Sequence, residues 1–281
     1  MSETRRGIIA AGHWIVDHVK RIDAWPEPAT LARIAHQQLA NGGFAFNLLA
    51  DLAALDPACP LHAGGLVGED GNGRFVREQC RRLKLDTARL ESSAEFPTSY
   101  TDVMTETGSG RRTFFHSPGA NEHLSEAHLR PLLKVPARIF CLGYLGFLPT
   151  LDALDSDGTN GASRLLREAQ VAGMLTAADL VSAKNPRLRE QVLPCLPHLD
   201  ILFLNEWEAG QLLNENVHAP ISFDQAMELA QAVHRLGVQG TVVLHFPEGV
   251  VAVAGEKERL AQGSVQLPAQ EIQGTVGAGD A

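Results

Sequence analysis

The chain has 281 residues, 44% hydrophobic and 20% charged, with 24 Lys and Arg against 33 Asp and Glu and a net charge of -9. This balance excludes the clustered basic face of a nucleic-acid binder, although backbone amides can still hold an anionic ligand on an acidic protein. Cys59, Cys80, Cys141 and Cys195 form no CxxC pair, Met1 to Gly12 lacks the apolar core of a signal peptide, and the longest apolar run, Ile139 to Leu148, is too short to cross a membrane, so a cytoplasmic protein with reduced thiols is expected.

Gly7 to Ala11 reads as a first strand. Val16 to Ala40 breaks the rhythm with Pro26 and Pro28, and Asp17 falls in a polar break after that strand. Phe44 to Leu55 carries Phe44, Leu48, Leu52 and Leu55 at helical spacing. His62 to Val67 is a strand, Gly68 to Gly73 a turn, and Phe75, Val76, Cys80 and Leu83 recur at helical period. Pro97 to His116 predicts a hairpin around Gly108-Ser109-Gly110. Ala137 to Leu142 is a strand, Asp155 to Gly161 a polar loop, Ser163 to Ala172 a helix and Met174 to Leu180 a strand. Asp200 to Leu204 and the helix Glu206 to Leu213 follow, then the helix Phe223 to Leu236, then the strand pair Thr241 to Phe246 and Val250 to Ala254. Alternation of this kind predicts a mostly parallel sheet with helices on both faces.

Four constellations could carry chemistry, three of them with a structural alternative. Gly274-Thr275-Val276-Gly277-Ala278-Gly279-Asp280 can converge amides on a phosphate, with Asp280 able to take a proton, or it is a glycine-rich turn with an Asp N-cap. Asn41-Gly42-Gly43 and Asn47 head a helix where Gly43 permits close approach of a ligand, or they form an ordinary helix start. Asn205-Glu206-Trp207-Glu208 is equally a capping box. Asp17 could accept hydrogen bonds from sugar hydroxyls. The eleven histidines, among them His13, His18, His116, His123 and His128, lie at no metal-ligand spacing and are assigned to surface or lid positions.

Taken together and in order, these segments resemble the ribokinase-like (PfkB) carbohydrate kinases. NGGFAFNLLADLAAL and GLVGEDGNGRF look like the family's N-terminal signature. FPTSYTDVMTETGSGRRTFFHSPGAN is similar to its lid and the strand that follows, NEWE to its NxxE, and GTVGAGDA to its C-terminal GxGD. The resemblance implies one domain over 1–281, a three-layer α/β/α sandwich whose small β-lid comes from parts of 16–40 and 97–116, with the chain stopping short of the elements that follow GAGD in the family. It implies transfer of an ATP phosphate to a sugar-like hydroxyl, with Asp280 as general base and Gly277, Ala278 and Gly279 as anion hole. Asp17, Gly43 and Asn47 would hold the acceptor. Asn205 and Glu208 would organise Mg²⁺ and its waters, no residue binding the metal directly, and His245, Gly249 and Thr275 would lie on the nucleotide side. A homodimer through the lid is admitted, and neither a nucleic-acid nor a membrane partner is implied.

Three departures bear on those roles. Gly274 stands where the family commonly has an Asp that helps bind a monovalent cation. His245-Phe246-Pro247-Glu248-Gly249-Val250 replaces the family's Thr-x-Gly-x-x-Gly. The chain ends at Ala281, before the helix that would order the anion hole. The alternative is therefore a member that binds ligand or regulates without turnover. A dinucleotide oxidoreductase is set aside because Ala11-Gly12-His13-Trp14, not GxGxxG, follows the first strand. Ile15 and Gly43-Phe44-Ala45-Phe46-Asn47 depart from the ribokinase pattern and point to an acceptor less polar than ribose or differently shaped.

Overall fold

Strands that alternate apolar side chains between two directions must be covered on both faces, and that requirement organises the chain. The computed structural model describes residues 5–255, 258–266 and 268. Its strands are β1 (Ile8–Gly12), β2 (Ile15–Ile22), β3 (Ile34–Gly42), β4 (Leu61–Gly68), β5 (Asp86–Ser93), β6 (Tyr100–Glu106), β7 (Arg112–Ser117), β8 (Ile139–Gly143), β9 (Leu175–Ala178), β10 (Ile201–Asn205), β11 (Thr241–Phe246), β12 (Gly249–Ala254) and β13 (Glu258–Gly263). A nine-stranded sheet has the order β13-β12-β11-β10-β9-β8-β1-β4-β5. From β5 to β11 all neighbours are parallel, whereas β12 and β13 extend the edge antiparallel.

Successive residues of one strand serve two cores. Ile9 and Ala11 of β1, Phe140 and Leu142 of β8, and Leu202 and Leu204 of β10 join Leu165, Leu212 and Val233 from the helices Gly161–Val171, Glu206–Leu213 and Phe223–His234. Ala10, Cys141 and Ala177 point the other way, toward Phe44, Leu49, Val76 and Cys80 from the helices Phe44–Leu55 and Gly71–Arg82. The result is the three-layer α/β/α arrangement with a mostly parallel sheet.

Several local expectations need correction. The stretch 16–40 is not irregular: it forms β2 and β3, joined through 23–33, and Asp17 lies within β2 rather than in a break. Polar residues on both faces of β2 hide its period of two. β2 and β3 join β6 and β7 in a separate four-stranded sheet of order β3-β2-β6-β7, whose β6–β7 pair is the hairpin read around Gly108-Ser109-Gly110. Gly71 to Gly73 is the first turn of a helix rather than part of a loop, because Asp70 caps it by accepting from the Gly73 amide at 2.7 Å. The strand read over Met174 to Leu180 is shorter, Leu175–Ala178. The helix Phe44–Leu55 buries Phe44, Ala45 and Leu49 rather than a stripe running to Leu55, which is 80% exposed. Its Leu48 and Leu52 instead rim an apolar groove with Ile8, Cys141 and Ile201. Cys80, Cys141 and Cys195 are buried free thiols, while Cys59 is half-buried. Among the described residues no helix is long and apolar enough to cross a membrane.

Candidate functional site

β1 leads by crossover to β4 on one side of the sheet, while β8 lies on its other side, so the strand order reverses between β1 and β8. Loops leaving the C-terminal ends of these strands diverge there and open a crevice, the usual ligand position in such sheets. The crevice floor is tight. Gly12 has φ +126°, and a Cβ on it would lie 1.7 Å from the Gly143 carbonyl oxygen. A Cβ on Gly143 would meet the Phe44 ring at 2.6 Å. Only glycine at both positions lets the two strand ends approach.

His13, the next residue after β1, is buried at this point, which corrects its assignment to a surface or lid position. Its Nδ1 accepts from the Tyr144 amide at 3.0 Å, so the ring proton resides on Nε2 and is donated to the Phe147 carbonyl at 2.9 Å. Burial lowers its pKa to about 4, so the imidazole is neutral. His13 is therefore a neutral strut between the β1 and β8 loops.

On the β1 side stand the acceptor candidates. Gly43, φ +87°, precedes the helix Phe44–Leu55, and a Cβ there would strike the His13 carbonyl oxygen at 2.6 Å. Gly42 leaves room for the Asp17 carboxylate, which would lie 2.7 Å from a Cβ added to it. Asp17 and the Gly42-Gly43 corner are thus brought together. Burial raises the Asp17 pKa to about 6, against the opposing influence of His18 and a hydrogen bond with Thr101. Asn47 is half-buried one turn into the helix, its amide donating to the Gly43 carbonyl. Thr101 and His116, directly across β6 and β7 from Asp17, share a 3.0 Å hydrogen bond.

The second group lies three strands away. Asn205 ends β10 beside His245 of β11 in register. Asn205 Oδ1 accepts from the Glu208 amide and Glu208 Oε2 accepts from the Asn205 amide, both at 2.9 Å, so the capping box is formed. Ser182 Oγ donates to Glu208 Oε1 at 2.9 Å and accepts from Asn205 Nδ2 at 2.8 Å. Burial raises the Glu208 pKa. Tyr144, Asp179, Ser182, Asn205, Glu208 and His245 line one cleft. Gly249 belongs to the β11–β12 hairpin, where a Cβ would meet the Gln262 carbonyl oxygen at 2.3 Å and the Phe223 ring at 2.6 Å. Gly274, Thr275, Gly277, Ala278, Gly279 and Asp280 lie outside the described residues.

The four-stranded sheet is anchored beside the crevice by polar contacts. Asp70 accepts from the Thr98 amide and hydroxyl, each at 2.8 Å, while capping its own helix. Asn121 bonds both the amide and the carbonyl of Trp14, and His18 Nε2 meets Asn72 Oδ1 at 3.1 Å. Sequence reasoning missed His13, Asp70, Asp179 and Ser182. A signal existed for the first: it directly follows a strand whose loop opens at the edge of a parallel sheet. Among the described residues no group of three or more His, Cys, Asp or Glu side chains is placed to hold a metal.

A model of the pfkB family of carbohydrate kinases matches residues 6–281. The ATP-dependent ribose-1-phosphate kinase of Halopiger xanaduensis is 26% identical over 215 residues, which are 74% of this chain and 64% of the relative, so the chain spans less than two thirds of that curated relative. An Arabidopsis thaliana ribokinase complexed with ribose and ATP has 22% identity and a TM-score of 0.78, covering 98% of this chain and 82% of that one. Thermotoga maritima ribokinase gives 19%, 0.74, 98% and 82% for the same quantities. A Methanocaldococcus jannaschii nucleoside kinase gives 19%, 0.69, 99% and 82%. At these identities the solved structures establish the ribokinase-like fold.

Proposed function

Since the chain belongs to the pfkB family of carbohydrate kinases, we propose that it transfers the γ-phosphoryl group of ATP to a hydroxyl of a sugar or sugar-like molecule. The observation that carries this reading is that two polar groups occupy one edge of the sheet: the Asp17 and Gly43 corner beside β1, and the Asn205, Glu208 and His245 cluster at β10 and β11. Three strand spacings separate β1 from β10. At roughly 4.8 Å each they leave about 14 Å, room for an acceptor ring and a polyphosphate laid end to end.

In this reading Asp17 and the Gly43 corner hold the acceptor with Asn47, and the four-stranded sheet covers it. Asp280 takes the proton of the attacking hydroxyl, and the amides of Gly277, Ala278 and Gly279 receive the negative charge developing on the transferred group. His245, Gly249 and Thr275 lie along the nucleotide. Both Glu208 oxygens are engaged by Asn205 and Ser182, which suits an indirect role in which Asn205 and Glu208 orient metal-bound water. Mg²⁺ bound with the nucleotide would supply neutralisation of phosphate charge. Gly274 offers no carboxylate to a monovalent cation, so turnover should depend little on K⁺. Exposed Leu39 and Phe115, on the face of this sheet opposite Asp17, support pairing of two copies through it.

The competing reading, binding without turnover, draws on the β11–β12 hairpin, where Phe223 and Gln262 fill the space beside Gly249. The two separate in an assay of ATP consumption over a panel of sugars and nucleosides. Asp280→Asn should keep acceptor and ATP binding while kcat falls by on the order of 100-fold or more. Near-normal turnover by that variant would move the chemistry elsewhere, and binding with no turnover by the unaltered chain would favour the second reading.

A further inference from the structure

Asp17, Thr101 and His116 stand in direct register across β2, β6 and β7, on one face of the four-stranded sheet. Thr101 Oγ1 is 3.0 Å from His116 Nδ1 and also hydrogen-bonds the Asp17 carboxyl. A hydroxyl has one proton to donate, and an ionised carboxylate can only accept. With Asp17 ionised, the Thr101 proton goes to Asp17 and His116 must donate its Nδ1–H to Thr101. Burial of the packed side of the ring keeps the His116 pKa below its ordinary value, so the imidazole is neutral. Its proton being on Nδ1, Nε2 is a bare acceptor.

That nitrogen has no hydrogen-bond partner among the described residues. The ring lies at the rim of a cavity shared with His13, Asn121, Phe147, Asp152 and Asn185, and it packs 5.5 Å from the Phe147 ring. His13 and Asn121 have their polar atoms engaged with backbone. His116 therefore brings unused accepting capacity to the cavity. Directly opposed residues on neighbouring strands have Cβ atoms about 5 Å apart, so Asp17 and His116 stand on the order of 10 Å from each other. A single sugar ring is too small to reach both.

We propose that His116 determines acceptor specificity: its Nε2 accepts a hydrogen bond from an N–H or O–H on a substituent carried beyond the ring held at Asp17. The acceptor is then a two-part molecule, a sugar bearing a second group with a donor. This rests on the reading of Asp17 as acceptor-binding.

The test is calorimetric binding to the full chain of ribosyl compounds in matched pairs that differ by one donor: adenosine against purine riboside, and guanosine against inosine. In at least one pair the donor-bearing member should bind about tenfold or more tightly. His116→Phe should erase that ratio, leaving the Kd of the donor-free member within about threefold and the melting temperature unchanged. His116→Gln, which keeps a side-chain acceptor, should restore part of the ratio, and Thr101→Val, which unpins the ring, should reduce it. A ratio that survives His116→Phe overturns the proposal, as does a panel in which no pair differs. If the ratio behaves as expected but no compound is phosphorylated, the His116 assignment stands and the kinase reading fails, so the two are separable.

Discussion

The floor of the crevice and the sheet beside it are held in place by different physics. Around the β1–β8 reversal, backbones touch: Gly12 meets the Gly143 carbonyl, Gly143 meets Phe44, and buried His13 spans the gap with two hydrogen bonds to backbone. The four-stranded sheet shares such contact at its root, where a Cβ on Gly68 would lie 2.5 Å from the Thr98 amide nitrogen. Beyond the root Leu39, Phe114 and Phe115 are exposed, and side-chain hydrogen bonds from Asp70, His18 and Asn121 complete its attachment. Steric contact admits one arrangement, because packed atoms cannot be displaced without strain. A few polar contacts can open and re-form, which is how covers over ligand sites behave. In the proposed function, a rigid floor would position the acceptor and a tethered cover would admit it.

The sharpest way to break this comparison is to add one methyl group to the floor. In Gly12→Ala the Cβ would occupy the space of the Gly143 carbonyl oxygen in a backbone region that L-residues rarely adopt. The expected loss is about 4 kcal/mol or more, a large part of a typical domain's stability, read by urea unfolding. A loss below about 1 kcal/mol would mean that the β1 and β8 ends can part, and the floor would not be rigid in the sense argued.

The counterpart on the cover is Asp70→Ala, which removes the cap on the helix Gly71–Arg82 and both bonds to Thr98. Stability should fall by about 2 kcal/mol, summing a cap and half-buried charge-assisted bonds to buried Thr98. Amide exchange should say where. Protection in β2, β3, β6 and β7 should drop by about tenfold or more, with β1, β8 and β10 unchanged. Uniform loss across both sheets would show that they unfold as one unit.

The same contrast explains what could be read from the sequence. The central sheet was legible because each buried strand is a short apolar run and each helix between strands has its own periodicity, as in Ala137 to Leu142 and Phe223 to Leu236. β2, β3, β5 and β13 were not. β2 mixes Asp17, His18, Lys20 and Arg21 with Val16 and Val19, and the edge strand β13 is exposed throughout. A strand that buries neither face carries no hydrophobic period to detect. Among the candidate site residues, motif order singled out Asp17, Gly43, Asn205 and Glu208, but the neutrality of His13 and the Thr101–His116 pair arise from contacts across 131 and 15 residues of sequence, and of these only the place of His13 after its strand was legible.

The smallest expected effect runs in the opposite direction, because at Asp17 the cover holds a charge at a cost. Burial raises its pKa from 3.8 to about 6. Between those values the folded chain binds more protons than the unfolded one, so stability falls as pH rises through the window. The cost is fully present above about pH 6 and absent below about pH 4. Asp17→Asn keeps the shape and still accepts from Thr101, but it carries no charge to desolvate. The variant should therefore be more stable than the unaltered chain by about 1–2 kcal/mol at pH 7.5, after discounting about two pKa units for the part of Asp17 open to solvent. Near pH 4 the two should melt together, and acceptor binding should weaken at every pH. Equal stability at both pH values would show that Asp17 sits in a well-solvated place. The strain expected of a binding carboxylate kept ready beneath the cover would then be absent.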